Sequence, residues 1–141
     1  MKRLSTKPTV YLIDGSNFSM RFWESAGGSS PAELEREFVR WLSDVARTEA
    51  LRASCFRVVF DGPYRKGAQA GPSVTVHYCD DMPADDMLVE RGYFMQNEGI
   101  RAVIVTSDNG LRDRAAAEGI KTLTCEGFQR LADAELRKES R

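Results

Sequence analysis

Apolar residues in this chain fall into five short runs, separated by polar stretches and by segments with helical periodicity. The runs are rich in β-branched and aromatic residues, and several are almost continuously apolar. This pattern is typical of strands that are buried on both faces of a parallel sheet. The predicted strands are residues 9–14, 56–61, 74–80, 102–108 and 120–125.

The segments between most of these runs predict helices. Segment 31–50 begins with a proline and repeats apolar side chains at helical spacing, and segments 83–99, 109–119 and 126–141 complete the set. The resulting order, β-α-β-β-α-β-α-β-α, predicts an α/β fold with a mostly parallel sheet. The link between the second and third strands is rich in Gly and Pro and has about the minimum length for a parallel crossover. The direction of the third strand therefore stays open.

Length and composition predict one domain over residues 1–141, with a core from about residue 8 to about residue 137. The 20 Lys and Arg residues nearly balance the 21 Asp and Glu residues. Bulk charge therefore offers no attraction to nucleic acid, and any basic surface must be local. The amino-terminal residues lack a signal-peptide core, the apolar runs are too short to span a membrane, and the three cysteines lack CxxC spacing. We expect a cytoplasmic protein with reduced thiols and no membrane partner.

The first four predicted strands all end in aspartate, at Asp14, Asp61, Asp80 and Asp108. Each residue has a local explanation, as a turn former or a helix cap. In a parallel sheet, however, these ends share the edge where α/β proteins bind ligands, and the carboxylates would repel one another without a cation. Mg²⁺ prefers oxygen ligands, and we interpret the one histidine, His77, as structural because it lies within a strand. The pattern therefore predicts a Mg²⁺ or Mn²⁺ centre suited to phosphodiester hydrolysis.

Other common catalytic and nucleotide-binding motifs are absent. The sequence contains no GxxxxGK[ST], no GxGxxG and no GxSxG. Binding of nucleoside triphosphates or dinucleotides therefore has little support, and a Ser-His-Asp arrangement is improbable.

Four motifs together resemble the YacP-like NYN domains of the PIN-like ribonuclease superfamily. They are "YLIDGSN" (11–17), "VVFDGP" (58–63), "ADDMLVE" (84–90) and "VIVTSDNGLRDRAAAEGIKTLTCEGFQRL" (103–131). The resemblance spans nearly the whole chain. It implies a three-layer α/β/α domain with strand order 3-2-1-4-5 and a metal-dependent centre that cleaves RNA.

The resemblance also implies roles for particular residues. Asp14, Asp85 and Asp108 would be the catalytic metal ligands, and Asp113 would join them through water. Supporting residues would be Asn17, Asp61, Asp86 and Ser107. The chain departs from the broader NYN pattern at Gly110, where many relatives carry a second acid, and Asp113 is a possible substitute.

Cations beside aromatic residues follow two of the predicted strands, and this combination suits single-stranded RNA. Arg21 adjoins Phe22 and Trp23, and Tyr64 precedes two further cations. The candidate RNA-binding residues are Arg21, Arg65, Lys66 and Arg112, and Arg114 could also reach a phosphate. The alternative is that the aromatic rings pack in the core while the cations are merely solvated.

The leading hypothesis is a metal-dependent ribonuclease, which we expect to be an endonuclease. One alternative is a catalytically weak or inactive RNA-binding or ribosome-associated adaptor of the same fold, and Gly110 leaves that alternative open. A phosphatase of the haloacid dehalogenase type fits less well, because Ser16 stands where that class needs a second Asp. The sequence does not indicate an oligomeric state.

Overall fold

The computed structural model describes residues 3–22, 30–64 and 71–140, except for the side chains of residues 21 and 22. Its helices and strands alternate along the chain in an α/β pattern. They are β1 (Val10–Asp14), α1 (Gly15–Phe22), α2 (Pro31–Ala46), β2 (Cys55–Asp61), β3 (Val74–Cys79), α3 (Ala84–Asn97), β4 (Ala102–Val105), α4 (Asn109–Ala117), β5 (Lys121–Leu123) and α5 (Cys125–Glu139), with a 3₁₀ turn at Glu49–Leu51.

The five strands form one parallel sheet in the order β3-β2-β1-β4-β5, so the predicted fold class and strand order are confirmed. Strand β3 runs parallel to β2, which answers the question that the sequence left open. Strand β4 ends at Val105, three residues before the predicted end, because the backbone turns there to begin α4 with Asp108 as its N-cap.

Helix α1 was not predicted from the sequence. Gly, Ser and Asn after the first strand indicated a turn, but they form the first turn of a helix. Asp14 caps this helix, since its Oδ1 accepts a hydrogen bond from the backbone N–H of Asn17 at 3.3 Å. The fully buried Phe18 anchors the helix, with its ring centroid 4.7 Å from that of Phe38 on α2. Aromatic burial therefore stabilises a helix that local propensity does not favour.

Gly15 allows α1 to lie directly against β2. A Cβ atom at this position would come within 2.7 Å of side-chain atoms of both Val58 and Phe60. Such a distance is far below van der Waals contact, so any larger residue would push the helix off the strand. The glycine that follows Asp14 is therefore required by packing, and it fixes where the first helix begins.

Helices α1, α2 and α5 cover one face of the sheet, and α3 and α4 lie on the other. The first face holds a cluster of buried aromatic rings, namely Tyr11, Phe18, Phe38, Phe56 and Phe128. The second face has an aliphatic core, built from Leu12, Val59, Leu88 and Ile104 among others. Helix α3 packs on β1, β2 and β4, whereas Thr75 and His77 of β3 are exposed on this face. The second face is therefore partly open above β3.

Among the described residues, no helix is long and apolar enough to cross a membrane. All three cysteines are free thiols, and Cys79 and Cys125 are buried as expected, while Cys55 is partly exposed.

Candidate active site

A cleft of about 350 Å³ opens at the carboxyl edge of the sheet, where α1, α3 and α4 begin. The residues that line it are Asp14, Ser16, Asn17, Asp61, Pro83, Ala84, Asp85 and Asp108. Four of these side chains are carboxylates, and no Lys, Arg or His of the described residues lines the cleft. The cleft therefore concentrates negative charge at the edge that the sequence singled out.

Asp14 is the most buried of these acids, with 4% of its surface exposed. Its pKa is raised to about 6, chiefly by burial and to a smaller extent by the neighbouring carboxylates of Asp85 and Asp61. Hydrogen bonds from the Thr106 hydroxyl and the Asn17 N–H oppose this rise by stabilising the charged form. Asp14 is thus a carboxylate whose charge the folded protein tolerates poorly in the absence of a cation.

Thr106 connects the ends of β1 and β4. Its fully buried hydroxyl donates a hydrogen bond to Oδ2 of Asp14 at 2.9 Å and accepts one from the backbone N–H of Asp108 at 3.2 Å. The Asp108 carboxylate in turn accepts from the N–H of Leu111 at 3.2 Å, which caps α4. Thr106 was not among the residues predicted for the site, although a polar residue at the end of an apolar strand, directly before "SD", was an available signal.

Asp85 lies half-buried in the first turn of α3. Burial raises its pKa, the neighbouring carboxylates of Asp108 and Asp61 add to the rise, and Arg114 partly offsets it. Asp61 also has a structural duty, because its Oδ1 accepts a hydrogen bond from the backbone N–H of Ala84 at 3.0 Å. This contact caps α3 from a strand that is 23 residues earlier in the chain.

A hydrogen-bond network fixes the orientation of Asn17. Its Oδ1 accepts from the N–H of Ser107 at 3.0 Å and from the thiol of Cys125 at 3.4 Å. The Ser107 hydroxyl accepts from the N–H of Cys125 at 2.9 Å and donates to the Glu126 carboxylate at 2.7 Å. Burial raises the pKa of Cys125 to about 11, so the thiol keeps its proton and remains a donor. Because both bonds occupy the amide oxygen, Asn17 retains its amide nitrogen as a donor for the cleft.

Three acids that the sequence placed at this edge do not line the cleft. Asp113 is exposed on α4, and Asp80 is exposed beyond the end of β3, an outer strand of the sheet. Asp86 points to α4, where it forms an ion pair with Arg114 at 2.9 Å. The expectation that all four strand ends share one acidic site was therefore wrong for Asp80.

Most of the predicted RNA-binding cations lie outside the described residues, namely Arg65, Lys66 and the side chain of Arg21, as does Trp23. Arg112 is half-buried on α4 and does not line the cleft. Tyr64, three residues beyond Asp61, is 77% exposed, and its ring meets that of Tyr78 edge-on at 5.6 Å. This exposed ring directly precedes Arg65 and Lys66, two of the residues that were predicted to bind RNA.

The donor set of the cleft suits a hard cation, since all its charged ligands are carboxylates. Within the part of the chain that the structure describes, no three or more His, Cys, Asp or Glu side chains are grouped closely enough to enclose a metal ion by themselves. Mg²⁺ does not need such a cage, because it keeps several waters and binds through one or two carboxylates. The cleft therefore fits a hydrated divalent cation better than a tetrahedral zinc ion.

A parallel sheet of this order, with acids at its carboxyl edge, defines a PIN-like domain of the nuclease type. The chain belongs to the YacP-like NYN domain family, whose model matches residues 11–141. NYN domains are generally nuclease-like and act on RNA, and PIN-like nucleases typically use divalent metals. A comparison with curated proteins found no match.

Solved structures that share the fold include two of the same Bacillus subtilis protein. The crystal structure of Rae1 (YacP) from Bacillus subtilis, in its W164L mutant form, superposes with a TM-score of 0.76 at 17% sequence identity. The match covers 94% of this chain and 79% of that one. The structure of Rae1 (YacP) without that mutation gives a TM-score of 0.75 at 18% identity, covering 94% and 78%. At this identity the likeness establishes the fold.

Proposed function

We propose that this protein is a metal-dependent ribonuclease that cleaves RNA phosphodiester bonds endonucleolytically at the acidic cleft. Membership of the NYN family supports the reaction class. The observation that carries the proposal is the buried Asp14 in a cleft lined by three further carboxylates, where burial, with a smaller contribution from Asp85 and Asp61, raises its pKa to about 6. Asp14, Asp85 and Asp108 are the proposed catalytic residues.

These three carboxylates would hold a hydrated Mg²⁺ or Mn²⁺, with one or two of them bound directly and the rest through water. When bound, the cation would supply an activated water and stabilise the leaving oxygen. Thr106 keeps the Asp14 carboxylate fixed through its hydroxyl. Asn17 offers its amide N–H to a phosphate oxygen, because its carbonyl side is held by other donors. Asp113, exposed on α4, remains a predicted outer ligand that would act through water.

Single-stranded RNA is the proposed substrate. The exposed ring of Tyr64 is suited to stack on an unpaired base, and Arg65 and Lys66 follow it directly in the chain. Base stacking of this kind is largely independent of sequence, so we expect modest sequence preference.

A second candidate is the RNA-binding or ribosome-associated adaptor of the same fold. The observation that favours it is the spacing of the acids, since the described residues include no tight group of three or more metal ligands. The two candidates share RNA binding and differ in turnover.

The test is cleavage of a labelled single-stranded RNA in Mg²⁺, Mn²⁺ or EDTA by the wild type and by Asp14→Asn. We expect cleavage that requires metal and that falls at least about 1,000-fold in Asp14→Asn, equivalent to about 4 kcal/mol of barrier. Asp44→Asn is the matched control, because Asp44 is an exposed aspartate on α2 that pairs with Arg47. It should cleave like the wild type.

Equal cleavage by the wild type and Asp14→Asn would contradict the proposed centre. Binding of RNA with no cleavage in any metal would favour the adaptor. In that case, stabilisation of the wild type but not Asp14→Asn by Mn²⁺ would show that the cleft still binds a cation.

A further inference from the structure

A second cavity, of about 320 Å³, lies on the open part of the sheet between α3 and strands β2 and β3. Its polar rim contains Arg57 and Thr75, which are direct neighbours in the parallel register, together with His77 of β3 and Arg91 of α3. Its floor includes the buried side chains of Leu12 and Val59. We call this cavity the arginine groove.

The charge of the arginine groove is unbalanced. Arg57, Thr75, His77 and Arg91 are all exposed, and no Asp or Glu of the described residues lines the groove. Within the described ranges, no ion pair joins either arginine to a carboxylate, whereas Arg40, Arg47 and Arg52 on the other side of the molecule each pair with an acid. Two unneutralised guanidinium groups above an apolar floor form a local positive field.

The donors of the groove match a phosphodiester. Guanidinium groups bind phosphate oxygens through paired, charge-assisted N–H bonds, and the Thr75 hydroxyl and the His77 ring can add further donors. Arg57 precedes Asp61 by four residues on β2, so at a rise of about 3.3 Å per residue the two backbone positions are about 13 Å apart. Asp61 lines the acidic cleft. Both sites lie on the same face of the sheet, since Arg57, Val59 and Asp61 alternate with the residues that face the aromatic cluster.

We propose that the arginine groove binds the backbone phosphates of single-stranded RNA a few nucleotides away from the bond that is cut in the acidic cleft. This proposal rests on the proposed function, because it assigns a second contact to the same substrate. The chain has a net charge of −1, so affinity for a polyanion must come from a local site of this kind. The groove would favour RNA long enough to reach both sites.

The experiment measures binding of two fluorescent RNAs, of about 12 and about 2 nucleotides, in EDTA, where metal-dependent cleavage is off. It compares the wild type, Arg57→Ala/Arg91→Ala and the matched control Arg40→Ala/Arg47→Ala, which loses the same charge from α2. Thermal melting checks folding, and Arg91→Glu, at an exposed helix position, provides a second test that leaves β2 intact. Cleavage of the short RNA in Mn²⁺ is measured separately.

We expect the groove variant to bind the longer RNA at least about tenfold more weakly, with a salt slope reduced by about 1.4 for two lost phosphate contacts. The control should change affinity less than about twofold, and the groove variant should cleave the short RNA normally. Equal affinity of the groove and control variants for the longer RNA would overturn the proposal while leaving the nuclease intact. If the wild type does not cleave RNA but the groove variant still binds the longer RNA more weakly than the control variant, the proposed nuclease activity is overturned and the groove is supported.

Free phosphate is the other source of the same chemistry. Titration with inorganic phosphate alone, followed by the NMR signals of His77, tests it. If the wild type is saturated by phosphate but does not bind the longer RNA, the assignment of the groove to RNA is overturned. If phosphate displaces bound RNA from the wild type but not from Arg57→Ala/Arg91→Ala, the assignment to RNA is supported.

Discussion

The acidic cleft and the arginine groove lie on the same face of one sheet and have opposite construction. In the cleft, Asp14 and Asp108 are held by hydrogen bonds to Thr106 and to backbone N–H groups. In the groove, Arg57 and Arg91 project into solvent on flexible stems. The cleft is therefore organised before any ligand arrives, and the groove is free to adapt.

This difference matches the two tasks proposed for them. A catalytic centre must place its carboxylates within a fraction of an ångström of the required geometry, so buried partners and helix caps are useful there. A surface that follows a flexible polyanion gains from mobile cations, because successive phosphates do not have one fixed position. The three predictions below change residues of the cleft and test how rigid and how charged it is.

Beyond the loss of cleavage already expected for Asp14→Asn, the largest effect is expected from Thr106→Val. Loss of the hydroxyl leaves the buried Oδ2 of Asp14 and the partly buried N–H of Asp108 without their protein partner. Removing such an outer partner should lower cleavage by about 10- to 100-fold, and the unsatisfied groups should lower the free energy of unfolding by about 1–3 kcal/mol. Cleavage rates and denaturant melts measure both effects.

Thr75→Val is the matched control for this variant, since Thr75 is an exposed strand threonine in the groove. It should alter stability by no more than about 0.5 kcal/mol and leave cleavage of a short RNA unchanged. If the two variants cleave alike, Asp14 does not depend on its buried partner, and the contrast between a rigid cleft and an adaptable groove fails.

Asp14→Asn should stabilise the metal-free protein at neutral and alkaline pH. The pKa of Asp14 is about 6 in the folded protein, against an ordinary value of 3.8 for the unfolded chain. The native state therefore binds the proton first, and this group lowers stability as pH rises from about 4 through 6. This pKa difference corresponds to about 3 kcal/mol of unfolding free energy, and the loss of a hydrogen bond to Asp14 reduces the expected gain to about 1–3 kcal/mol.

The measurement is the free energy of unfolding in EDTA at several pH values. The gain of Asp14→Asn over the wild type should be full at about pH 8 and should shrink below pH 6, vanishing near the unfolded-state pKa. Asp44→Asn should show no such pH-dependent gain. A destabilised Asp14→Asn at pH 8 would show that the hydrogen bonds of Asp14 outweigh the cost of burying its charge.

The smallest effect is expected from Gly110→Asp, which adds the acid that the resemblance led us to expect at this position. Position 110 is in the first turn of α4, and a Cβ there would lie 3.2 Å from Oδ1 of Asp108. The new carboxylate should raise Mn²⁺ affinity several-fold, by about 1 kcal/mol, read from the metal dependence of the melting temperature. Gly110→Ala controls for the tight contact and for helix propensity. Equal metal response of the two variants would place the cation away from Asp108.

The sequence predicted the sheet well, because its strands are buried on both faces and their residues are correspondingly apolar. It failed for α1, since Gly15, Ser16 and Asn17 are turn formers by local preference. Their helical conformation depends on the burial of Phe18 against a helix that starts nine residues after α1 ends. Local propensity cannot report a contact of that kind.

At the candidate site, the sequence indicated the acids and their common edge, and the structure selected among them. Asp80 follows the end of an outer strand and lies outside the cleft, while Asp86 forms an ion pair with Arg114. Asp61 was expected as an outer member of the site, and it also caps α3 through Ala84. These outcomes depend on strand order and helix direction, which no single segment encodes.

The sequence by itself determined the class of fold, the family and the presence of carboxylates at strand ends. Hydrophobic periodicity and the order of motifs can be read along the chain without knowledge of the fold. The tertiary structure decided which carboxylates share a cleft, which one is buried enough to hold a pKa near 6, and where two arginines lie away from the acids of the described chain. Desolvation and charge–charge repulsion act between atoms that are close in space, so they arise only when the strands are in place.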